Sequence, residues 1–354
     1  MKSSFTLCRV KFRQVGQTVV IIVIVAIATI GLALVFAPRP QPPLRPSPNG
    51  YDDLLAVAPL VIPNHGDWRT QSIAELRAVF SANSNSVATI RDALRKDWAV
   101  PISYDTNYTF ARISNLTASK VLAQLLRTEG EVAKLERRTN EALGVFTDCI
   151  RLGQKYTHGS LMLEDLVGIA CKAIGMEAAE TIWRSADDVS LQIFLKRLAE
   201  IDTSNQSPAE VIRREREWAR GTHGPLQYAW ISLFLRSTLQ QSEERLRARH
   251  LRDEAEVRLL RTAVAMELFR RKMGRYPGKL GELIPEYLES VPADPFTGKS
   301  LFYRPTTNSY LLYSVGADRK DDGGTPFTRG SRTFEINGIE VEPGDLISTP
   351  PPNR

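Results

Sequence analysis

The chain has 354 residues, of which 43% are apolar and 24% are charged, and its formal net charge is +6. Basic and acidic residues are interleaved along the chain without a basic block that contains aromatic residues, so the charge does not favour nucleic-acid binding. The length predicts two domains, each able to bury its own core. The spacing of the histidines and cysteines does not match a zinc site, and Cys149 and Cys171 are expected to be small buried residues rather than a disulfide.

The N-terminal segment predicts a membrane anchor. Residues 18–37, TVVIIVIVAIATIGLALVFA, contain no charged residue and are long enough to cross a bilayer as one helix. Residues 1–17 carry four basic residues, Lys2, Arg9, Lys11 and Arg13. This charge predicts a cytoplasmic N-terminus, a single span of the inner membrane and an extracytoplasmic location for the rest of the chain. A cleaved signal peptide is the alternative, but cleavage after Ala37 would leave Pro38 as the first mature residue.

A linker and an all-α domain are predicted next. Residues 38–50 contain six prolines, which predicts an extended, semi-rigid linker. From residue 51 to about residue 250, apolar residues recur every three or four positions, as in packed helices, and a repeat solenoid is a minor alternative. Residues 160–183 are apolar on nearly all sides and predict a central buried helix, although the stretch carries too many charges for a second membrane span. In this helix Gly168 and Gly175 would allow another backbone to approach closely.

Four predictions for this domain are more specific. A helix is expected to begin at Ser207 or Pro208. The stretch RREREW that follows is expected to be an exposed charged face, with Glu210–Arg214 and Arg213–Glu217 as neighbours on it. Glu164 and Asp165, which follow His158, are expected to be a capping and solvation feature at the solvated N-terminus of the buried helix rather than an acid–base cluster. The apolar run PLQYAWISLFLRSTL, residues 225–239, is expected to belong to the core.

Residues 251–347 predict a small α/β module. Its opening helix should end at Gly274, because Pro277 blocks its continuation, and LGELIPEYL predicts a short second helix. Alternating apolar residues predict strands in SLFYR, SYLLYSV, TFEIN and GIEVE, with Asn337-Gly338 as a hairpin turn. The predicted fold class is therefore α+β, with an antiparallel sheet in the C-terminal module. Residues 348–354 are expected to be a disordered tail.

Four stretches of the module carry a family resemblance. They are GRYPGKLGELIPEYL (274–288), VPADPFTGKSLFYR (291–304), YLLYSVGADRKDDGG (310–324) and GDLI (344–347). In this order and spacing, over residues 255–347, the chain resembles the globular domain of the type II secretion major pseudopilin. The resemblance implies a pseudopilin-like α/β fold in which an acidic loop holds a structural Ca²⁺. The soluble part as a whole, which opens with NGYDDLLAVAPLV, also resembles bacterial membrane-anchored proteins that carry such a tail and have no known activity.

The N-terminus departs from the pattern of a prepilin. In SFTLCRVKF, residues 4–12, Ser4 stands where a prepilin has glycine and Arg9 stands where it has glutamate. Three basic residues also interrupt the apolar run, and nearly two hundred residues separate the predicted anchor from the module. We therefore expect no prepilin-type cleavage and no polymerisation into a pseudopilus.

The acidic loop is defined as residues 314–324, SVGADRKDDGG, together with Asp345. Its carboxylates and glycines suit Ca²⁺, which takes six to eight oxygen ligands from a tightly curled backbone. The spacing does not match an EF-hand, so the metal assignment depends on the resemblance. The ligands it implies are Ser314, Asp318, Asp321, Asp322 and Asp345. The alternative is a solvated Asp/Gly turn, in which Arg319 and Lys320 neutralise the aspartates.

No catalytic motif is recognisable in the sequence, and we expect the protein not to be an enzyme. Two functions remain. The first is a membrane-anchored envelope protein with a structural or protein-interaction role, linked to assemblies that resemble type II secretion. The second is an envelope hydrolase or small-ligand-binding protein with a pocket in the helical domain. A contiguous exposed apolar face would favour the first, whereas a deep pocket with a perturbed acidic group or histidine would favour the second.

Overall fold

The computed structural model describes residues 43–64, 66–105, 108–306, 309–326, 334–336, 339–341 and 344–348. The predicted cytoplasmic segment, anchor and first part of the linker lie outside these residues, as do residues 349–354 of the predicted tail. None of the helices in the described part of the chain combines the length and apolar content that a bilayer crossing needs. The α+β class is confirmed, because helices make up most of the described chain and a small antiparallel sheet follows them.

Ten α-helices come first in the described chain. They are α1 (Gly50–Val57), α2 (Ile73–Ala82), α3 (Ser84–Arg95), α4 (Tyr108–Leu135), α5 (Thr139–Thr157), α6 (Met162–Glu180), α7 (Asp188–Thr203), α8 (Pro208–His223), α9 (Pro225–Phe234) and α10 (Arg236–Met273). Short 3₁₀ turns occur at Ala58–Leu60, Trp183–Ser185 and Leu280–Leu283.

Local signals set several helix ends. Ser207 caps α8 by accepting a hydrogen bond from the backbone of Ala209, and Pro208 occupies the first helical position, as predicted. Gly274 ends α10 in the left-handed conformation, with φ 72°. The predicted helix in LGELIPEYL is wrong, because only a 3₁₀ turn forms. Pro285 supplies no backbone N–H and holds the preceding residue in an extended conformation, so the turn cannot propagate.

The central buried helix is α6, and its small residues bring it close to α5. A Cβ atom at Gly168 would lie 2.7 Å from the carbonyl oxygen of Gly153, and one at Gly175 would lie 2.7 Å from the backbone nitrogen of Ile150. The close approach predicted for these two glycines is therefore confirmed. Cys149 and Cys171, also predicted to be buried, are fully buried free thiols at the same helix pair.

The described residues of the C-terminal module include five short strands, β1 (Phe302–Pro305), β2 (Tyr310–Ser314), β3 (Phe334–Ile336), β4 (Ile339–Val341) and β5 (Leu346–Ser348). The order β1-β2-β5 forms an antiparallel sheet, and β3 pairs with β4 in a separate antiparallel ribbon. The four predicted strands are confirmed, and β5 is an addition. The Asn337-Gly338 turn between β3 and β4 lies outside the described residues.

Two apolar clusters form most of the core. One joins α1, α3, α4 and α5, and in it the rings of Tyr51, Trp98 and Tyr156 meet edge to face at 5.4–5.8 Å. The other packs α5, α6 and α7 against α10 and the C-terminal module. Since α10 runs without interruption through residue 250 and contributes to this second cluster, the helical part and the module share one helix and one core.

Candidate functional site

The acidic loop is closed by hydrogen bonds among the described residues. Asp318 accepts the backbone N–H groups of Lys320 and Gly344, and Asp321 accepts the hydroxyl of Tyr313 at 2.8 Å. Asp345 accepts the backbone N–H groups of Gly324 and Thr325, at 2.7 and 3.2 Å, through Oδ2. These two bonds place Asp345, which directly precedes β5, at the glycine-rich end of the loop.

The remaining two predicted ligands are placed differently. Ser314 is fully buried, and its hydroxyl donates to Asp294 at 3.0 Å, while Asp322 is exposed. Asp294, which the sequence argument missed, also accepts the backbone N–H groups of Phe296 and Val315. Asp294 belongs to the VPADPF turn, one of the stretches that carry the family resemblance. The sequence did not indicate that its carboxylate would bind the start of the acidic loop.

The fit of this loop to a cation is partial. Within the described residues, no cluster of three or more histidine, cysteine, aspartate or glutamate side chains is arranged to hold a metal ion. The carboxylate of Asp345 nevertheless keeps one buried oxygen, Oδ1, without a hydrogen-bond partner in the described structure, and burial raises the pKa of this group. One unsatisfied carboxylate oxygen suits a hard cation, but Asp318 and Asp321 already use carboxylate oxygens to close the loop.

A buried polar seam runs through the helical part, and we define it by three pairs of side chains. Arg112 on α4 donates to Glu164 through two bonds of 2.6 and 2.7 Å. Nε2 of His250 on α10 lies 2.6 Å from Asp165. Lys172 on α6 pairs with Asp253 on α10, and it also donates to Gln154 and Asn205 at 3.0 and 3.3 Å.

The predicted solvated N-terminus at Glu164 and Asp165 is therefore wrong. Glu164 is 2% exposed and Asp165 is fully buried, because α4, α8 and α10 pack around the first turn of α6. Each carboxylate in the seam faces a basic side chain, and burial of the pairs leaves none of them open to a substrate. The seam therefore links α4 and α10 to α6.

A groove of about 620 Å³ lies between α8, α9 and α10, next to the seam. Its wall includes Glu215, Trp218, Tyr228, Ile231 and Arg247. Glu215 is half-buried and accepts the backbone N–H of Met162 at 2.9 Å, and burial raises the pKa of Glu215.

The charged face predicted for α8 is only partly exposed. The neighbours Arg213 and Glu217 form the expected ion pair, at 2.7 Å. Arg214 instead turns inward and donates to the carbonyl of Ser160 at 2.9 Å, and Glu215 faces the groove. The alternation of charges showed that α8 is polar, but it did not show that α6 begins beneath it.

The segment predicted to be core, residues 225–239, is largely exposed, so that prediction is wrong. We define the apolar face of α9 as four of its exposed side chains: Leu226, Trp230, Leu233 and Phe234. Trp230 and Phe234 are 62% and 70% exposed, and their rings stack in parallel with centroids 5.1 Å apart. Gly224, at φ 76°, turns the chain between α8 and α9 so that α9 lines the groove with one side and presents the apolar face with the other.

The chain matches no protein-family model, no curated protein sequence and no solved structure. Among the described residues, we consider three places for a function: the acidic loop, the groove with Glu215, and the apolar face.

Proposed function

We propose that the chain is a membrane-anchored envelope protein with a structural or protein-interaction role, which acts by docking through the apolar face of α9 rather than by catalysis. The exposed side chains of this face carry the proposal. Soluble proteins rarely expose large contiguous apolar patches, and those that they do expose commonly mark interaction sites. An aromatic residue such as Trp230 is also the kind of residue that dominates binding at such sites.

The anchor is part of the same proposal. It rests on the uncharged run at residues 18–37 and on the basic residues before it, which also give the orientation. The link to secretion-like assemblies and a structural calcium ion rest on the resemblance of the C-terminal module. The link to such assemblies is supported by the small sheet that follows a helix ending at Gly274. The calcium ion is supported by the buried oxygen of Asp345 that has no hydrogen-bond partner in the described structure.

The docking role is tested by site-specific photocrosslinking in intact cells. A photoreactive phenylalanine analogue replaces Phe234 in the full chain, and the same analogue replaces Ile193 on α7 as a control of similar exposure, 58%. We expect a covalent adduct, to protein or lipid, from position 234 and none from position 193. Equal yields at both positions, or no adduct at position 234, would contradict the docking role.

The anchor and its orientation are tested separately. After alkaline extraction the full chain should remain in the membrane, and protease added to intact spheroplasts should degrade the part after residue 50. Extraction into the supernatant would contradict the anchor, and protection from protease would contradict the orientation.

Binding of a small ligand in the groove is the second candidate. The raised pKa of Glu215 and the size of the groove favour it, since binding sites combine a concave apolar surface with a few perturbed polar groups. Native mass spectrometry of the full chain purified in detergent provides the test. A small molecule that remains bound to the parent and is lost from Glu215→Gln would establish this function.

A further inference from the structure

The predicted linker ends at a defined place on the helical part. The side-chain amide of Asn49 donates to the carbonyl of Ala99 at 2.9 Å, and its oxygen accepts the backbone N–H of the same residue at 3.1 Å. Four residues further along, the carbonyl of Ser103 accepts the indole N–H of Trp218 on α8 at 3.0 Å. Because four extended residues span at most ~14 Å, the end of the linker lies close to the last turns of α8.

This position puts α9 within reach of the bilayer to which the linker leads. From Trp218, α8 continues for less than two turns, or about 8 Å, before Gly224 turns the chain into α9. If the eleven residues 38–48 take the extended form that their prolines predict, they span roughly 34 Å. The linker is therefore long enough for the folded part to lie against the membrane with α9 at the surface, and short enough to keep α9 near it.

The chemistry of α9 suits a lipid surface. The helix has ten residues and no charged side chain, and at about 15 Å it is too short to cross the hydrocarbon core. Exposed Arg220 and Arg236 lie on either side of it, and Arg220 also packs over the ring of Tyr228 at 5.2 Å. Tryptophan, phenylalanine and leucine next to arginine are typical of helices that lie in the interfacial zone of a bilayer.

We infer that α9 lies in the plane of the membrane that holds the anchor, with its apolar face among the upper acyl chains and Arg220 and Arg236 near anionic headgroups. The inference rests on the proposed function, because the anchor supplies the bilayer and the linker keeps it at high local concentration. The face is then a second membrane contact, which fixes the orientation of the folded part above the bilayer.

Trp230 provides a direct measurement of this contact. The chain has five tryptophans, of which Trp98, Trp183 and Trp218 are buried and Trp68 is covered by the guanidinium groups of Arg69 and Arg127. The full chain is reconstituted into vesicles of phosphatidylcholine and phosphatidylglycerol with brominated acyl chains, which quench nearby indoles. We expect the fluorescence that bromine quenches to fall at least threefold in Trp230→Phe and to stay unchanged in Trp68→Phe.

Two results would overturn the inference. In one, the vesicle-bound parent shows no quenching, which is the outcome if the face binds a protein, since the chain is alone in these vesicles. In the other, Trp230→Phe is quenched as strongly as the parent, so that a different tryptophan meets the lipid. Far-UV circular dichroism of both variants checks their folding, and both changes keep an aromatic side chain at its position.

The anchor is scored independently in the same vesicles by alkaline extraction. A chain that resists extraction but shows no quenching keeps the anchor and contradicts the contact of α9. A chain that is extracted, yet is quenched through Trp230 before extraction, keeps the contact and contradicts the anchor. A chain that does not float with the vesicles contradicts both.

Discussion

Replacement of Gly153 by alanine should force the two central helices apart. A Cβ atom at this position of α5 would lie 2.3 Å from the backbone nitrogen of Lys172 and 2.5 Å from the carbonyl oxygen of Gly168, both on α6. Backbone atoms cannot rotate away as the end of a flexible side chain can, so the clash is relieved only if the helices separate. Separation would loosen the core that both helices share.

Two opposing effects set the change in the free energy of unfolding that Gly153→Ala causes. Overpacking of a tight interior costs about 1 to 3 kcal/mol, and the upper part of that range applies because the contacts are with backbone. Glycine to alanine within a helix returns about 0.5 to 1 kcal/mol. The net loss in the free energy of unfolding is therefore about 2 kcal/mol. Because the helical part and the module share one core, the unfolding unit is larger than about 250 residues, and this loss lowers the melting temperature by about 4 °C.

Gly144 provides a matched control in the same helix. It is exposed, and a Cβ atom there would meet no described atom within 4 Å. Gly144→Ala should therefore stabilise the protein by about 0.5 to 1 kcal/mol through helix propensity alone. Thermal melts of the full chain in one detergent, followed by far-UV circular dichroism, compare the two variants. If Gly153→Ala melts at or above the parent, the close approach of α5 and α6 in the structure is wrong.

The other predictions concern buried charges and the acidic loop. Lys172→Met should lower the free energy of unfolding by about 3 to 5 kcal/mol, because it leaves Asp253 buried without its cation. The double variant Lys172→Met with Asp253→Leu should recover most of this loss. Urea denaturation measures both variants, and equal losses would contradict the pairing. Burial raises the pKa of Glu215, so the folded state binds a proton at this carboxyl group more tightly than the unfolded state does. The resulting stabilisation of the folded state is complete below the ordinary glutamate pKa of about 4.3. It is lost as the pH rises through the pKa that Glu215 has in the folded state. Glu215→Gln should therefore gain stability relative to the parent at pH 8 but not at pH 4, and a difference independent of pH would refute this. Calcium at 100 times its Kd should stabilise the full chain by about 2.7 kcal/mol, and Asp345→Asn should remove this stabilisation. If the parent melts at the same temperature in calcium and in chelator, the solvated Asp/Gly turn is the better interpretation of the loop.

Features with a local cause were predictable from the sequence. The start of α8 at Ser207 and Pro208 depends on one side-chain cap, and the end of α10 depends on the left-handed conformation that Gly274 adopts. The strands β1 and β2 follow from alternation over a few residues. Gly168 and Gly175 marked the place where the backbone of α5 approaches α6, because such a close approach requires residues without a side chain.

Features that depend on distant partners were not predictable. Glu164 and Asp165 resemble a solvated helix start, and only Arg112 and His250, which are 52 and 85 positions away, make their burial possible. The apolar run in α9 has the composition of a core helix, but no local signal shows whether another element covers it. Strand β5 has three residues, and its place in the sheet is set by pairing with β2.

The long helix α10 connects α9 to the C-terminal module without a break. It begins directly after α9, and the module packs on it from about Ala255 onward, against Phe296 and Val315. Nineteen residues of helix separate Arg236 from Ala255, which corresponds to roughly 28 Å. Buried His250 and Asp253 hold the last turns of this section to α6, next to the point where the module packs on the helix. If α9 lies on the bilayer, α10 therefore starts at the membrane surface and carries the C-terminal module, with its acidic loop, further along the same continuous helix.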